Sequence, residues 1–192
     1  MSEHPIRITG DATADAILTD SSFALLIGMM LDQQYPMEHA FRGPAKVTAR
    51  FGSFDPQQIA SAEPEPFAAL CAVPPAIHRF PGSMSARLQE LARIVVDQYD
   101  GHAERIWTEA ADGKDLAKRL QALPGFGAQK AKIFVALLAK QLDVRPDGWE
   151  QAAGDYALDG FRSVADVVDP ASLQKVRDFK KEKKAAAKAA AG

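Results

Sequence analysis

An all-α fold is predicted by three features of this 192-residue chain. No run of alternating apolar and polar residues bounded by turn signals occurs in it. Apolar residues recur instead at helical spacing, most clearly as Leu88, Leu91, Ala92, Val95 and Tyr99. Helix-start signals stand ahead of several such stretches: Ser21 or Ser22, Pro36, and Asp147-Gly-Trp-Glu150, which reads as a capping box. The length suits one large domain with a real core, set at residues 1–178, followed by a Lys- and Ala-rich tail at 179–192.

In order along the chain, Asp11–Leu18 forms a short helix after an irregular start. The next helix, capped by a serine, runs to about Gln34. Phe23, Leu26, Ile27, Met30, Leu31 and Gln34 share one of its faces, and the opposite face is also apolar, so it is central. Pro36 opens a helix that reaches about Phe51. Pro56–Ser61 and Pro64–Ala72 are short helices, followed by a proline-rich loop, Pro74–Gly82, and the amphipathic helix Met84–Tyr99. Leu116, Leu120 and Leu123 mark a helix entering a hairpin; Ala131, Val135, Leu138 and Leu142 mark the one leaving it. Val144–Asp147 connects to a further helix. A last one from Pro170 runs into Lys- and Ala-rich sequence after Phe179, a low-complexity tail whose end is expected to be disordered or only partly helical.

Composition excludes several classes. The single Cys71 rules out a disulfide framework and any cluster held by four cysteines of this chain, and it reads as a small core residue. His4, His39, His78 and His102 lack metal-ligand spacing. The longest apolar run, Phe23–Leu31, is too short to span a bilayer and no basic segment precedes it, so a cytoplasmic location is expected. The net charge of −2 hides a segregation: residues 113–140 carry +5, residues 175–192 carry +5, and the remainder carries −12. A local basic patch is what phosphate binding requires, whatever the total.

One basic block surrounds Leu123-Pro-Gly-Phe-Gly127. Two glycines one residue apart at a helix start let a backbone approach closely and leave amide N–H groups pointing outward, which makes an anion site. With no other phosphate motif in the chain, that anion is a nucleic-acid phosphate. Ordinary helix punctuation accounts for the same five residues, so taken alone they leave both readings open.

Three segments together resemble the helix-hairpin-helix (HhH-GPD) superfamily of base-excision DNA glycosylases, and among them the small actinobacterial HhH-GPD-type proteins. They are Met30-Leu-Asp-Gln-Gln-Tyr-Pro-Met-Glu-His-Ala40, the hairpin Leu123–Ile133, and Asp147 at the family's usual distance downstream. The resemblance implies a two-lobed helical fold without an iron–sulfur cluster, with the hairpin and Asp147 at the cleft between the lobes. It implies a monomer whose partner is duplex DNA carrying a damaged or modified base, flipped into a pocket.

In that scheme Gly125, Phe126 and Gly127 hold phosphates, flanked by Gln129, Lys130 and Lys132, with a monovalent cation at the carbonyls of Leu123 and Gly125. Gln34 fills the vacated stack or meets the opposite base, unless it is a helix-terminal amide paired locally. Gln33, Tyr35 and Trp149 are weaker pocket candidates, and Tyr35, Phe126 and Trp149 are placed to stack on a base or to pack in the core. Asp147 stabilises the oxocarbenium-like sugar, or it only caps its helix, with Asp143 as the fallback carboxylate.

Two departures matter. Strand-cleaving members carry a Schiff-base lysine where this chain has Gln129, and Lys130 is turned by about 100° around the helix, so a monofunctional enzyme is expected. The segment His78-Arg-Phe-Pro-Gly-Ser-Met-Ser85 also differs from the common pattern, and Arg79 and Phe80 either border the DNA or belong to a packed proline loop. The rival reading is a non-catalytic hairpin protein that only binds DNA. The tail either raises non-specific DNA affinity or is a solvated end.

Overall fold

The computed structural model describes residues 4–192, and all regular structure among them is helical. Among the described residues, twelve α-helices and two 3-10 turns share one continuous hydrophobic core running from Ile6 to Val176. Around the central α2 (Ser22–Leu31) pack α1 (Ala12–Asp20), α3 (Met37–Phe41) and α4 (Gly43–Phe51). A second group sets α5 (Pro56–Ser61) and α6 (Pro64–Ala72) on the long α7 (Pro81–Tyr99). After the short α8 (Arg105–Thr108), α9 (Gly113–Gln121) and α11 (Trp149–Ala153) flank α10 (Ala128–Gln141). The 3-10 turns Gly154–Ala157 and Val164–Asp166 lead to α12 (Pro170–Ala191).

Local chemistry sets these boundaries. Ser21 caps α2 by accepting the Ala24 N–H at 3.0 Å, and every residue from Phe23 to Leu31 is buried, as the two apolar faces require. The helix stops at Leu31, short of Gln34. Asp32 donates its N–H to the Met29 carbonyl, Gln34 takes a left-handed φ of 52°, and Pro36 biases its predecessor away from the helix. Gln34 therefore belongs to a loop and not to the helical stripe.

The single helix expected from Pro36 to Phe51 is two helices broken at Arg42. Pro44 lacks the N–H that would bond the Ala40 carbonyl and continue the ladder, and that carbonyl takes the Arg42 N–H instead. Gly43 tolerates the break because its missing Cβ leaves room for Leu31 Cδ1, which would stand 2.4 Å away. The α11 region departs too. Its N-cap is Gly148 at φ 75°, and no side chain caps it, so Asp147-Gly-Trp-Glu150 forms no capping box.

The largest departure is the end of the chain. Asp169 and Ser172 close a capping box, and α12 continues without interruption to Ala191, so the end of the tail is helical. Good helix formers explain this, since Ala, Lys and Glu fill the stretch. Val176 is its last buried residue and Phe179 is half-buried. Cys71 sits fully buried, and that burial pushes its thiol up to about 11. Among the described residues no single helix is long and apolar enough to cross a membrane; α1 and α2 qualify only as a pair bent by 117°.

One close approach ties the hairpin helices to the connector that follows them. The Gly113 N–H donates to the Asp147 carbonyl at 2.8 Å, and a Cβ on Gly113 would stand 2.5 Å from the Gly148 carbonyl oxygen. Backbone cannot yield as a side chain tip can. Gly113→Ala is expected to cost about 1–3 kcal/mol of stability, read as a lower urea midpoint with an unchanged slope.

Candidate nucleic-acid interface

The hairpin is shaped by its two glycines. α9 ends with the Leu123 N–H on the Leu120 carbonyl, and the Phe126 N–H closes a turn on the Leu123 carbonyl at 3.2 Å. Gly125 occupies that turn at φ 83°, where only glycine is unstrained, and its Cα lies against Arg87 and Met30. Gly127 is the extended N-cap of α10 and offers no side chain to the first turn. Among the described residues, the N–H groups of Ala128, Gln129 and Lys130 meet no backbone acceptor, so they and the positive end of the helix dipole face outward.

Phe126 is only 4% exposed and lies edge-on to Phe134, which in turn meets Trp107 edge-on. It anchors the hairpin to the core and is not free to stack on a base.

The facing wall is the loop that ends α2. His78 holds it in place. The His78 Nδ1 accepts the Phe80 N–H at 3.1 Å, so Nε2 carries the proton and donates to the Gln33 carbonyl at 2.8 Å. Tyr35 packs on the same ring with centroids 4.9 Å apart. Burial lowers the His78 pKa, which suits a neutral strut. The unusual 78–85 segment thus buttresses the cleft, while Phe80 stays half-exposed with the Arg79 guanidinium 5.0 Å above its ring. Arg87 spans the two walls: it donates to Gln33 Oε1 at 3.3 Å and lies beside Gly125.

Between the walls lies a cleft of about 940 Å³. The third side is α12, whose Phe179, Lys180, Lys183, Lys184 and Ala187 line it. Lys183 Nζ sits 5.8 Å from the Tyr156 ring centre, and the Tyr156 hydroxyl accepts from Gln129 Nε2 at 2.9 Å. Six cationic side chains line the cleft (Arg87, Lys130, Arg162, Lys180, Lys183 and Lys184) against one carboxylate, Asp32.

Rotation around α10 does not take Lys130 out of this space, because its long side chain reaches across and donates to the Met30 carbonyl at 2.8 Å. Burial brings its amine down to about 8, opposed by the nearby Asp32 charge. Burial also raises the Asp32 carboxyl above the ordinary carboxylate range, against the pull of Lys180 and Lys130.

The sequence-derived candidates divide sharply. Leu123, Gly125, Phe126, Gly127, Gln129, Lys130, Gln33, Gln34 and Tyr35 all line the cleft. Lys132 is exposed on α10 and lines no part of it. Trp149 is half-buried against the core, also outside the cleft lining.

Asp147 is exposed and outside the lining as well. The reason is the connector's return path: its carbonyl is tied to Gly113, the first residue of α9, whereas the hairpin lies beyond the last. Asp143 is exposed and pairs with Arg145 at 3.2 Å.

Asp32, Arg87, Tyr156 and Arg162 also line the cleft although no sequence motif marks them. Asp32 lies within the Met30–Ala40 segment, and the basic block at 175–192 contains the α12 lysines.

An all-helical fold with a glycine hairpin opening on a cationic cleft defines a helix-hairpin-helix protein. The chain belongs to the HhH-GPD superfamily of base excision DNA repair proteins, whose family model matches residues 27–190. Neither the curated proteins nor the solved structures yield a match. Membership implies base excision repair and DNA as the partner.

Proposed function

We propose that this protein is a DNA glycosylase that hydrolyses the N-glycosidic bond of a flipped, damaged or modified base. The observation that supports this reading is the convergence of the hairpin turn, Gln34 and six cationic side chains on one cleft. A base inside a duplex is out of reach and is extruded before its bond can be attacked. The hairpin amides and the cleft cations suit the phosphates on either side of such a nucleotide. Gln34, in a left-handed loop opposite the hairpin, suits the vacated stack.

Hydrolysis without strand cleavage is the second part of the proposal. Gln129 offers no amine and its amide is engaged by Tyr156, while Lys130 donates to the Met30 carbonyl.

A non-catalytic DNA-binding protein is the second reading, and one observation favours it: Asp147 is outside the cleft lining. A panel of duplexes carrying damaged or modified bases separates the two, with wild type and Asp147→Asn assayed before and after alkali. The glycosylase reading expects wild type to release a base, with strand breaks only after alkali and no borohydride-trapped adduct. Binding without release across the panel supports the second reading. Equal release by wild type and Asp147→Asn removes Asp147 from the chemistry.

A further inference from the structure

Asp32 is costly where it stands. Six cations line the cleft with it, and a carboxylate in a groove built for phosphates repels the ligand. Structural duties do not account for it. Asp11, Asp55, Asp112 and Asp169 each cap a helix by accepting a backbone N–H. Asp32 follows α2 as its C-cap residue, where its carboxylate has no N–H to accept, and among the described residues that carboxylate makes no hydrogen bond and no ion pair. Its charge is instead balanced at longer range by Lys130, whose amine is fixed on the Met30 carbonyl, and by Lys180 from α12. An unengaged carboxylate is thus held between the hairpin helix and the Gln33–Tyr35 loop, where an extruded nucleotide would enter.

We propose that Asp32, in place of Asp147, is the carboxylate that acts on the sugar in this cleft. The proposal rests on the glycosylase reading above. The C1′–N bond breaks with its electron pair leaving on the base, which takes a proton from solvent. Positive charge develops on the deoxyribose, and Asp32 faces it. Water adds to C1′ and gives its proton to the Asp32 carboxylate, which returns it to solvent. Burial raises the basicity of that carboxylate, opposed by the Lys180 and Lys130 charges.

The test needs no knowledge of the lesion. Two duplexes are compared at one salt concentration, one carrying a cationic pyrrolidine abasic analogue and the other a neutral tetrahydrofuran analogue. Wild type is expected to prefer the cationic analogue by about tenfold. Asp32→Asn is expected to lose that preference, to keep its thermal midpoint, and to bind the neutral duplex at least as tightly, since a repulsive charge is gone. Equal affinity of wild type for both duplexes overturns the proposal and leaves the DNA reading intact. So does a preference that survives in Asp32→Asn. Failure of wild type to bind any duplex removes the DNA reading, and the Asp32 proposal falls with it.

Discussion

Phe126→Ala is expected to lower folding stability by about 3–5 kcal/mol and to weaken binding to every duplex alike. Both effects follow from one contact. Phe126 is the hairpin residue that points inward, 4% exposed, with its ring edge-on to Phe134 at 6.0 Å. Phe134 carries the contact on to Trp107 at 5.8 Å. Removing the ring leaves a cavity beneath a turn whose glycine already sits at φ 83°. The turn then loses the packing that fixes the outward N–H groups. Urea unfolding reads the first effect, and titration with two unrelated duplexes reads the second. Full affinity in a folded Phe126→Ala protein would show that the fixed hairpin shape contributes nothing to binding.

Replacing Lys180, Lys183 and Lys184 together by glutamine is expected to reduce the dependence of binding on salt. Each phosphate contact contributes about 0.9 to the slope of log K against log salt, so three contacts account for about 2.7. At 0.1 M salt that is a loss on the order of 10²-fold, shrinking as salt rises. Stability is expected to stay within about 0.5 kcal/mol, because all three residues are exposed on α12 beyond its last buried residue, Val176. An unchanged slope would make that half of α12 a solvated arm with no part in the interface.

Punctuation made much of the fold legible. Prolines at the first helical turn mark Pro56–Ser61 and Pro64–Ala72, which are the helices α5 and α6, and the spacing of the amphipathic stripe marks α7. Errors came where tertiary contacts overrode a local pattern. Gln34 continues the apolar period of α2, yet the His78 strut and Pro36 hold it in a loop. Low complexity suggests a tail end that is disordered or only partly helical, but helix propensity with a capping box at Asp169 carries α12 to Ala191.

The candidate site was half legible for a similar reason. The hairpin and the Gln33–Gln34 segment are local motifs, and both line the cleft. The place of Asp147 depends on how the connector returns, which chain spacing does not report. The Gly113–Asp147 hydrogen bond ties that residue beside the start of α9. Asp32 lay beside Gln33 all along, but its meaning requires Lys130 and Lys180, remote in sequence, to be seen across the same space.

DNA is proposed to occupy the cleft between the hairpin and α12. The decisive measurement is titration of wild-type protein with an undamaged duplex from 50 to 500 mM salt. Six lining cations predict a slope of log K against log salt of about −5. A slope near zero, or one unchanged when the α12 lysines are neutralised, would contradict it.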